Sequence, residues 1–244
     1  MRADLEGGSH APFPATQSSV VLGFRSGHAE DRTRSFQRLA QTYWKPIFQY
    51  LRLQWHKGPS EAEEITQEFF VRCLARGTFG SYVEGRVRFR TFVRSCLDHF
   101  VLDLQRRDLA QKRGGRRLPP IDVGAAEVEL VADPATLHTE ALFERDWVRS
   151  VVDSAVESLR TACARKGKDV HFRVFERLDL CAVPNKPSYA IVAGDLGISI
   201  MDVTNRLSYA RRQLRAIILE TLRELTASNE ELRDEVRIVL GIEL

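Results

Sequence analysis

The helical spacing of apolar residues constrains the fold of this chain more than any other feature of its sequence. Apolar side chains recur three or four positions apart from Phe36 to Leu51, and again from Leu142 through Leu178. This spacing places them on one face of an α-helix, whereas a half-buried strand alternates apolar and polar residues. No segment sustains such an alternation. The sequence therefore predicts an all-α fold with essentially no sheet.

A stretch rich in glycine, proline and small residues divides this helical pattern in two. The 244 residues exceed the usual size of one domain, which favours two small helical domains. Periodicity is weak between residues 113 and 137, and we interpret this range as a flexible linker. The predicted organisation is a flexible N-terminal tail (1–22), a first helical domain (23–112), the linker (113–137), a second helical domain (138–219) and a C-terminal helical extension (220–244).

Proline and capping residues predict helix boundaries in the first domain. Pro46 predicts a kink or break in the first long helix. Ser60 is a candidate N-cap of the second helix, with Glu63 completing a capping box. The apolar stripe of this second helix is predicted to contain Ile65, Phe69 and Leu74. A third helix is predicted over roughly residues 88–109.

Residues 188–215 have the pattern of a helix-turn-helix. Gly197 suits a turn residue with positive φ, and Ser199 with Asp202 forms a capping box for the second helix. The predicted buried residues are Ile191, Val192 and Leu196 on the first helix and Val203, Leu207, Ala210 and Leu214 on the second. The opposite face of the second helix carries Thr204, Asn205, Arg206, Ser208, Arg211, Arg212 and Arg215, with Tyr209 beside it. Such a face can read base edges and neutralise phosphates in a major groove, and a helical hairpin with a solvated basic face is the alternative.

Acidic residues are concentrated in the second helix of the first domain. The segment from Ser60 to Phe70 contains four glutamates and no lysine or arginine. Glu64, Gln67 and Glu68 share one helix face. A solvated surface is the ordinary explanation of such a face. Acid–base catalysis is disfavoured because no histidine, nucleophile or metal-ligand spacing accompanies the carboxylates.

Basic residues follow in the next helix and are interleaved with aromatic ones. Between Arg86 and Arg117 the chain has ten lysines and arginines against three aspartates. Aromatic rings can stack on unpaired bases while cations hold the backbone of single-stranded nucleic acid. The aromatic residues in this segment are Phe89, Phe92 and Phe100. For Phe92 and Phe100 individually, burial in the core is the favoured interpretation.

Several functional classes lack support in the sequence. Four cysteines are widely spaced without a CxxC pair, which disfavours a zinc knuckle or a disulfide framework and fits a cytoplasmic location. No apolar run approaches the length of a signal peptide core or a membrane span. No phosphate-cradling glycine loop or nucleophile with its base is evident. We therefore expect a protein that is not an enzyme and has no cofactor, metal, membrane partner or small-molecule substrate.

Taken in order, these segments resemble bacterial sigma factors of the extracytoplasmic-function type over roughly residues 30–220. Residues 61–70, Glu-Ala-Glu-Glu-Ile-Thr-Gln-Glu-Phe-Phe, resemble the family motif that binds the clamp helices of the largest subunit of RNA polymerase. The resemblance implies that the polymerase-contacting residues are Glu61, Glu64, Gln67 and Glu68. It also implies two helical domains joined by a flexible linker, with core RNA polymerase and promoter DNA as partners.

The same resemblance assigns two DNA-reading regions. Residues 89–92 and 103–107 resemble the region that melts and reads the −10 element, with a loop at about 98–102 that accepts a flipped base. The implied −10 contacts are Arg88, Phe89, Arg90, Phe92, His99, Arg106, Arg107, Lys112 and Arg113. Residues 188–215 resemble the domain that reads the −35 element. The implied −35 contacts are Ser199, Thr204, Asn205, Arg206, Ser208, Tyr209 and Arg212.

Two other functions stay open at this level. A stand-alone transcription regulator would use the same helix-turn-helix on an operator, with the N-terminal helices sensing a ligand. A helical adaptor that binds only protein would leave the basic helix face without a role. An anti-sigma factor or another regulator is a possible additional partner of the sigma factor, and the C-terminal extension is expected to cover the second domain or contact such a regulator.

Overall fold

A computed structural model describes residues 20–25, 28–112, 134–181 and 186–243. Within these ranges the chain is helical and forms no strand, which confirms the all-α prediction. The helices are α1 (Val20–Gly23), α2 (Ala29–Leu53), α3 (Pro59–Arg76), α4 (Phe89–Lys112), α5 (Pro134–Arg165), α6 (Asp169–Phe175), α7 (Tyr189–Leu196), α8 (Ile200–Leu225) and α9 (Asn229–Leu240). A 3₁₀ turn at Thr78–Ser81 follows α3, and a π-helical turn at Glu176–Leu180 extends α6.

The sequence predicted a kink or a break at Pro46, and the break is wrong because helix α2 continues through this residue. The carbonyl that Pro46 leaves without an intrahelical donor accepts a hydrogen bond from α5 instead. Upstream, Val20 and Val21 are buried in α1, because these apolar side chains pack into the core. The predicted tail therefore does not extend to residue 22, and residues 1–19 lie outside the described part of the chain.

Helix α3 begins one residue earlier than its predicted cap. Gly58 occupies the N-cap position and Pro59 the first helical position, where its missing N–H has no cost. Ser60 therefore lies inside the helix, and the predicted capping box with Glu63 is wrong. Leu74 is 45% exposed, so its place in the apolar stripe is wrong as well. The buried face is formed by Ala62, Ile65, Thr66, Phe69, Phe70 and Cys73.

Helix α4 is continuous, and the loop predicted at residues 98–102 is wrong. This segment contains no glycine or proline that would interrupt a helix. Its side chains also support helix packing, because Phe100 and Val101 are buried in the core. The favoured interpretation of Phe100 as a core residue is confirmed, whereas Phe92 is half-buried.

One large hydrophobic cluster unites helices from both halves of the chain. It contains residues of α1 to α4 together with Phe143 and Trp147 of α5, Leu222 of α8 and Val236 of α9. A second, smaller cluster joins the C-terminal half of α5 to α6, α7 and the N-terminal half of α8. Helix α5 starts inside the range predicted as linker, since residues 134–137 are helical, and residues 113–133 lie outside the described part.

Candidate nucleic-acid interface

The connection between α7 and α8 has the local geometry expected from its sequence. Gly197 has a φ of 62°, a left-handed conformation that suits glycine. The Ser199 hydroxyl accepts a 3.0 Å hydrogen bond from the Asp202 N–H, and the Asp202 carboxylate accepts one of 3.3 Å from the Ser199 N–H. These two bonds confirm the predicted capping box. The pKa of Asp202 is lowered by a 2.7 Å hydrogen bond that the Ser199 hydroxyl donates to its carboxylate and by the bond from the Ser199 N–H. The start of α8 is thereby fixed relative to the turn.

The inward faces of α7 and α8 follow the sequence prediction with one exception. Val203, Leu207 and Ala210 of α8 are buried, as predicted. On α7, Val192 and Ala193 provide the buried contact. Ile191 is 55% exposed, so its predicted place in the buried stripe is wrong. Val192 and Ala193 are the residues of α7 that face the core. Leu196 and Leu214 are partly buried and pack against the smaller cluster.

The outward face of α8 presents hydrogen-bonding and basic groups to solvent. Its exposed members are Thr204, Asn205, Ser208, Arg211, Arg212 and Arg215. Arg206 is partly buried and approaches Asp202 at 4.0 Å. Two apolar residues at the first turn, Ile200 and Met201, are also exposed. This face therefore combines donors, acceptors, cations and apolar groups at the accessible end of one helix.

A basic turn between α5 and α6 adjoins this face and was missed by the sequence analysis. The turn comprises Arg165, Lys166, Gly167 and Lys168, with Gly167 at a φ of 63°. The Lys168 ammonium lies 3.9 Å from the centre of the Tyr209 ring, a cation–π contact. In the sequence, the three cations around a glycine were the only sign of a basic turn. Tyr209, which this turn contacts, lies some 40 positions later, so the sequence did not show that the two are close in space.

The ring of His171 completes the cluster around Tyr209. The two ring centres are 5.0 Å apart in an edge-to-face arrangement. Burial lowers the pKa of His171, and the nearby cations Arg206 and Lys168 lower it further. The imidazole is therefore neutral at neutral pH, and it supports Tyr209 by packing. The positive charge of this cluster comes from its lysine and arginine side chains.

The acidic residues of α3 form an exposed face on a different part of the molecule. All four predicted polymerase contacts are exposed, namely Glu61, Glu64, Gln67 and Glu68. Glu61 pairs with Lys57 at 2.6 Å and Glu68 with Arg72 at 2.7 Å. The side chains of Glu64 and Gln67 have no hydrogen-bond or ion-pair partner among the described residues.

Two exposed apolar residues extend the acidic face of α3. Val71 is 60% exposed, and Leu74 follows it one turn later along the helix. Their spacing from Glu64 and Gln67 places them on the same side of α3. The face is therefore a mixed acidic and apolar surface.

The residues predicted to contact the −10 element are divided between surface and core. Arg106 and Arg107 are exposed, whereas Arg88 and His99 are partly exposed. Phe89 is buried against the rings of Tyr43 and Tyr82, and Arg90 is buried beside carboxylates of α5 and α9, so neither side chain can contact DNA in this conformation. The side chain of Lys112 and the whole of Arg113 lie outside the described residues.

The buried end of α4 is held by ion pairs to two distant helices. Arg90 pairs with Glu235 of α9 and, at 2.9 Å, with Glu144 of α5. Arg94 pairs with Glu140 of α5 and, at 3.4 Å, with Asp98 of α4. The structure thus brings together charges that are 46 to 145 positions apart in the sequence.

Burial changes the acidity of two carboxyl groups near these ion pairs. Burial raises the pKa of Glu235 to about 7, although Arg90 acts in the opposite direction. Burial also raises the pKa of Asp98, against hydrogen bonds from Tyr50 and Trp55 that lower it. Both groups are structural partners of arginines or aromatic donors.

Neither a metal site nor a membrane segment is found in the described parts of the chain. No group of three or more histidine, cysteine, aspartate or glutamate side chains could hold a metal ion there. No helix in the described ranges has the length and apolar character needed to cross a bilayer.

Comparisons with models of protein families, with curated proteins and with solved structures found no match to this chain. Two surfaces of opposite charge are the candidate interfaces, the outward face of α8 and the acidic face of α3.

Proposed function

We propose that this chain is a sigma factor of the extracytoplasmic-function type, which binds core RNA polymerase and directs transcription from particular promoters. The observation that carries the proposal is the exposed face of α3. Glu64 and Gln67 have no partner among the described residues there, and they lie next to exposed Val71 and Leu74. A partner with basic and apolar groups on a protein surface would satisfy both kinds of side chain, as expected for the clamp helices of polymerase.

In this proposal α7 and α8 form a helix-turn-helix that reads the −35 duplex. Asn205 and Arg212 are suited to bidentate contacts with base edges, and Ser208 to contacts with a base or phosphate. Exposed Ile200 and Met201 are suited to apolar contact with thymine methyl groups. The capping box supports this role because it holds the N-terminal turn, which enters the groove first, in a defined conformation.

The exposed end of α4 is the proposed reader of the melted −10 strand. Arg106 and Arg107 are accessible and can neutralise phosphates, and the basic run continues into Lys112 and Arg113. Each DNA contact alone is weak. Because both readers belong to one chain that is also bound to polymerase, each raises the effective concentration of the other. The protein supplies recognition, and catalysis is left to polymerase.

A stand-alone transcription regulator is the second candidate. It is favoured by one observation, the exposure of Thr204, Asn205 and Ser208 on the outward face of α8. Such a regulator would bind one duplex tightly by itself and would not use the face of α3. The two candidates therefore differ in their need for core polymerase.

Run-off transcription with purified bacterial core polymerase and a promoter library tests the proposal. The wild-type chain is compared with Glu64→Arg/Gln67→Ala and with Glu157→Arg, a control that reverses an exposed charge on α5 outside the proposed interfaces. We expect promoter-specific transcripts with the wild type and the control, and their loss with the double variant. Polymerase-free binding of one duplex, without specific transcripts, would favour the regulator.

A further inference from the structure

The aromatic residues that the sequence predicted for stacking on unpaired bases lie largely inside the fold. Phe89 and Phe100 are buried, and Phe92 is half-buried. Arg106 and Arg107 of the same helix, α4, remain exposed. The exposed part of α4 therefore offers cations for a nucleic-acid backbone, and an aromatic surface for the bases must come from another element.

Trp55, in the turn between α2 and α3, places an aromatic ring beside α4. Its Nε1–H donates a 3.1 Å hydrogen bond to the carboxylate of Asp98 on α4. The same carboxylate accepts a 2.9 Å hydrogen bond from the Tyr50 hydroxyl and pairs with Arg94 at 3.4 Å. Trp55 is only partly buried, so some of its surface is accessible. Three donors hold the Asp98 carboxylate in place, and this carboxylate holds the indole against α4.

The backbone of the turn that contains Trp55 is also held in a specific conformation. The next residue, His56, has a φ of 49°, a left-handed conformation that non-glycine residues adopt only where their surroundings impose it. The Lys57 N–H donates a 3.1 Å hydrogen bond to the Leu51 carbonyl, and the Lys57 carbonyl accepts one of 2.9 Å from the Arg52 side chain. These bonds close the turn over the end of α2. Trp55 is therefore fixed by its backbone as well as by its side chain.

Beyond Asp98, the outer face of α4 continues as an exposed stripe of apolar and basic side chains. Leu102 is 37% exposed and Leu109 is 52% exposed, and Arg106 between them is exposed as well. Their helical spacing places these three residues, here called the α4 stripe, on the same side of α4 as Asp98. Because Trp55 is bonded to Asp98, the α4 stripe begins next to the indole. One surface therefore combines an aromatic ring, two apolar side chains and a cation.

This combination of side chains fits unpaired nucleic acid better than a duplex. An aromatic ring can stack on a base only where the face of that base is free, and in a duplex the neighbouring base pairs cover it. Apolar side chains pack against bases that have left the stack, and a cation neutralises the phosphate between them. His99, which follows Asp98 on α4, adds a second ring that is partly exposed.

We propose that Trp55 stacks on an unpaired base of a DNA strand that lies along the α4 stripe. The inference rests on the proposed function, because it names the residue that holds a base of the melted −10 strand. Trp55 lies outside residues 61–70, 89–92, 103–107 and 188–215, on which the resemblance to sigma factors is based. The assignment therefore follows from the contacts of this chain.

Binding of the full chain to a single-stranded oligonucleotide of about 20 nucleotides, measured by fluorescence anisotropy at low salt, tests the role of Trp55. Trp55→Ala should weaken binding by about tenfold, the usual order for the loss of one base–aromatic stack. Trp55→Phe keeps a ring and should bind within about twofold of the wild type. Trp44→Ala is the matched control and should bind like the wild type. Trp44 is a tryptophan of α2 that is 37% exposed and stacks on Phe70 of α3.

An abasic oligonucleotide and intrinsic fluorescence separate stacking from a merely structural role of Trp55. An oligonucleotide with the same phosphates and no bases should bind equally to the wild type and to Trp55→Ala, because only stacking is lost. Stacking of a base on an indole quenches the fluorescence of the indole. The base-bearing oligonucleotide should therefore quench the emission of Trp44→Phe, which retains Trp55, and leave that of Trp55→Phe unchanged. This second readout uses conservative variants, so it holds even if Trp55→Ala disturbs the fold.

Failure of the stacking role and failure of the sigma function give different results. Wild-type affinity of Trp55→Ala for the base-bearing oligonucleotide, or equal quenching in the two phenylalanine variants, would overturn the role of Trp55. No binding of the oligonucleotide to the wild type would overturn it as well and would indicate a protein partner for the α4 stripe. Run-off transcription with the wild type is measured in parallel. Promoter-specific transcripts without stacking would refute the role of Trp55 alone, whereas stacking without such transcripts would refute the sigma function and leave a single-stranded DNA site.

Discussion

The hydroxyl of Ser150 on α5 donates a 2.9 Å hydrogen bond to the carbonyl oxygen of Thr42 on α2. Pro46 lies four positions after Thr42 and has no N–H with which to satisfy this carbonyl. Both Ser150 and Thr42 are buried. A polar group that the sequence leaves without an intrahelical donor therefore becomes a specific attachment point between the two halves of the chain.

Ser150→Ala should destabilise the protein by about 1–2 kcal/mol, because it leaves a buried carbonyl unsatisfied. The same substitution should cost less in a Pro46→Ala background, where the new N–H at position 46 can bond to Thr42. Urea unfolding of the wild type, both single variants and the double variant measures this coupling. If Ser150→Ala lowers the free energy of unfolding equally in both backgrounds, the hydrogen bond from Ser150 does not replace the one that Pro46 cannot make.

Local sequence patterns correctly predicted the features that neighbouring residues determine by themselves. Periodicity identified the helices, and Ser199 with Asp202 predicted a cap that the structure contains. The same signals failed where a distant partner decides the outcome. The break at Pro46 is avoided because Ser150, 108 positions away from Thr42, satisfies the carbonyl of that residue.

The predicted site residues show the same contrast between features that local sequence determines and features that a distant partner determines. Glu64 and Gln67 were predicted on an exposed face from helical spacing alone, and both are exposed. The burial of Arg90 was not predictable, because its partner Glu235 follows 145 positions later on a helix whose docking position no local pattern specifies. An arginine next to phenylalanine is equally consistent with a nucleic-acid contact and with one half of an ion pair.

Two glycines of the α7–α8 segment should respond oppositely to alanine. Gly197 has positive φ, so Gly197→Ala should destabilise the protein by about 1 kcal/mol through backbone strain. Gly194 lies inside α7 with space for a Cβ, so Gly194→Ala should stabilise the protein by about 0.5–1 kcal/mol. Thermal unfolding of the two variants checks the signs. Stabilisation by Gly197→Ala would contradict the left-handed turn.

The basic turn beside Tyr209 should contribute to DNA affinity without reading sequence. Lys166→Ala should weaken binding to a random-sequence 30-base-pair duplex and to transcribed promoter fragments by the same factor. The slope of log affinity against log salt should fall by about one for each phosphate that is no longer neutralised. Fluorescence anisotropy across a salt series measures both quantities.

Arg237→Ala is the control for this turn, because Arg237 is an exposed arginine on α9, outside the proposed DNA interface. It should leave affinity and salt slope unchanged. A Lys166→Ala variant that behaves like this control would remove the turn from the interface.

The stability of the protein should decrease as pH rises from about 4.5 to about 7, because of Glu235. Burial raises its pKa from an ordinary 4.5 to about 7, so in this window the folded chain retains a proton that the unfolded chain has released. Stability falls with pH wherever the folded state binds more protons. The raised pKa of Asp98 acts with the same sign. The charged or titratable groups around Glu235 are Arg88 just before α4, Arg90 of α4, Glu231 of α9 and Tyr43 of α2.

Glu235→Gln removes the ionisation while keeping a side chain of similar size, so the dependence of stability on pH should become flatter between pH 5 and pH 7. Glu230→Gln changes an exposed carboxylate on the same helix and should keep the wild-type dependence. Urea midpoints of the three proteins at pH 5, 6 and 7 give the comparison. If Glu235→Gln instead steepens the decrease, ion pairing with Arg90 dominates over burial. The docking of α9 would then strengthen with rising pH, because the ionised carboxylate would be the form that the folded chain prefers.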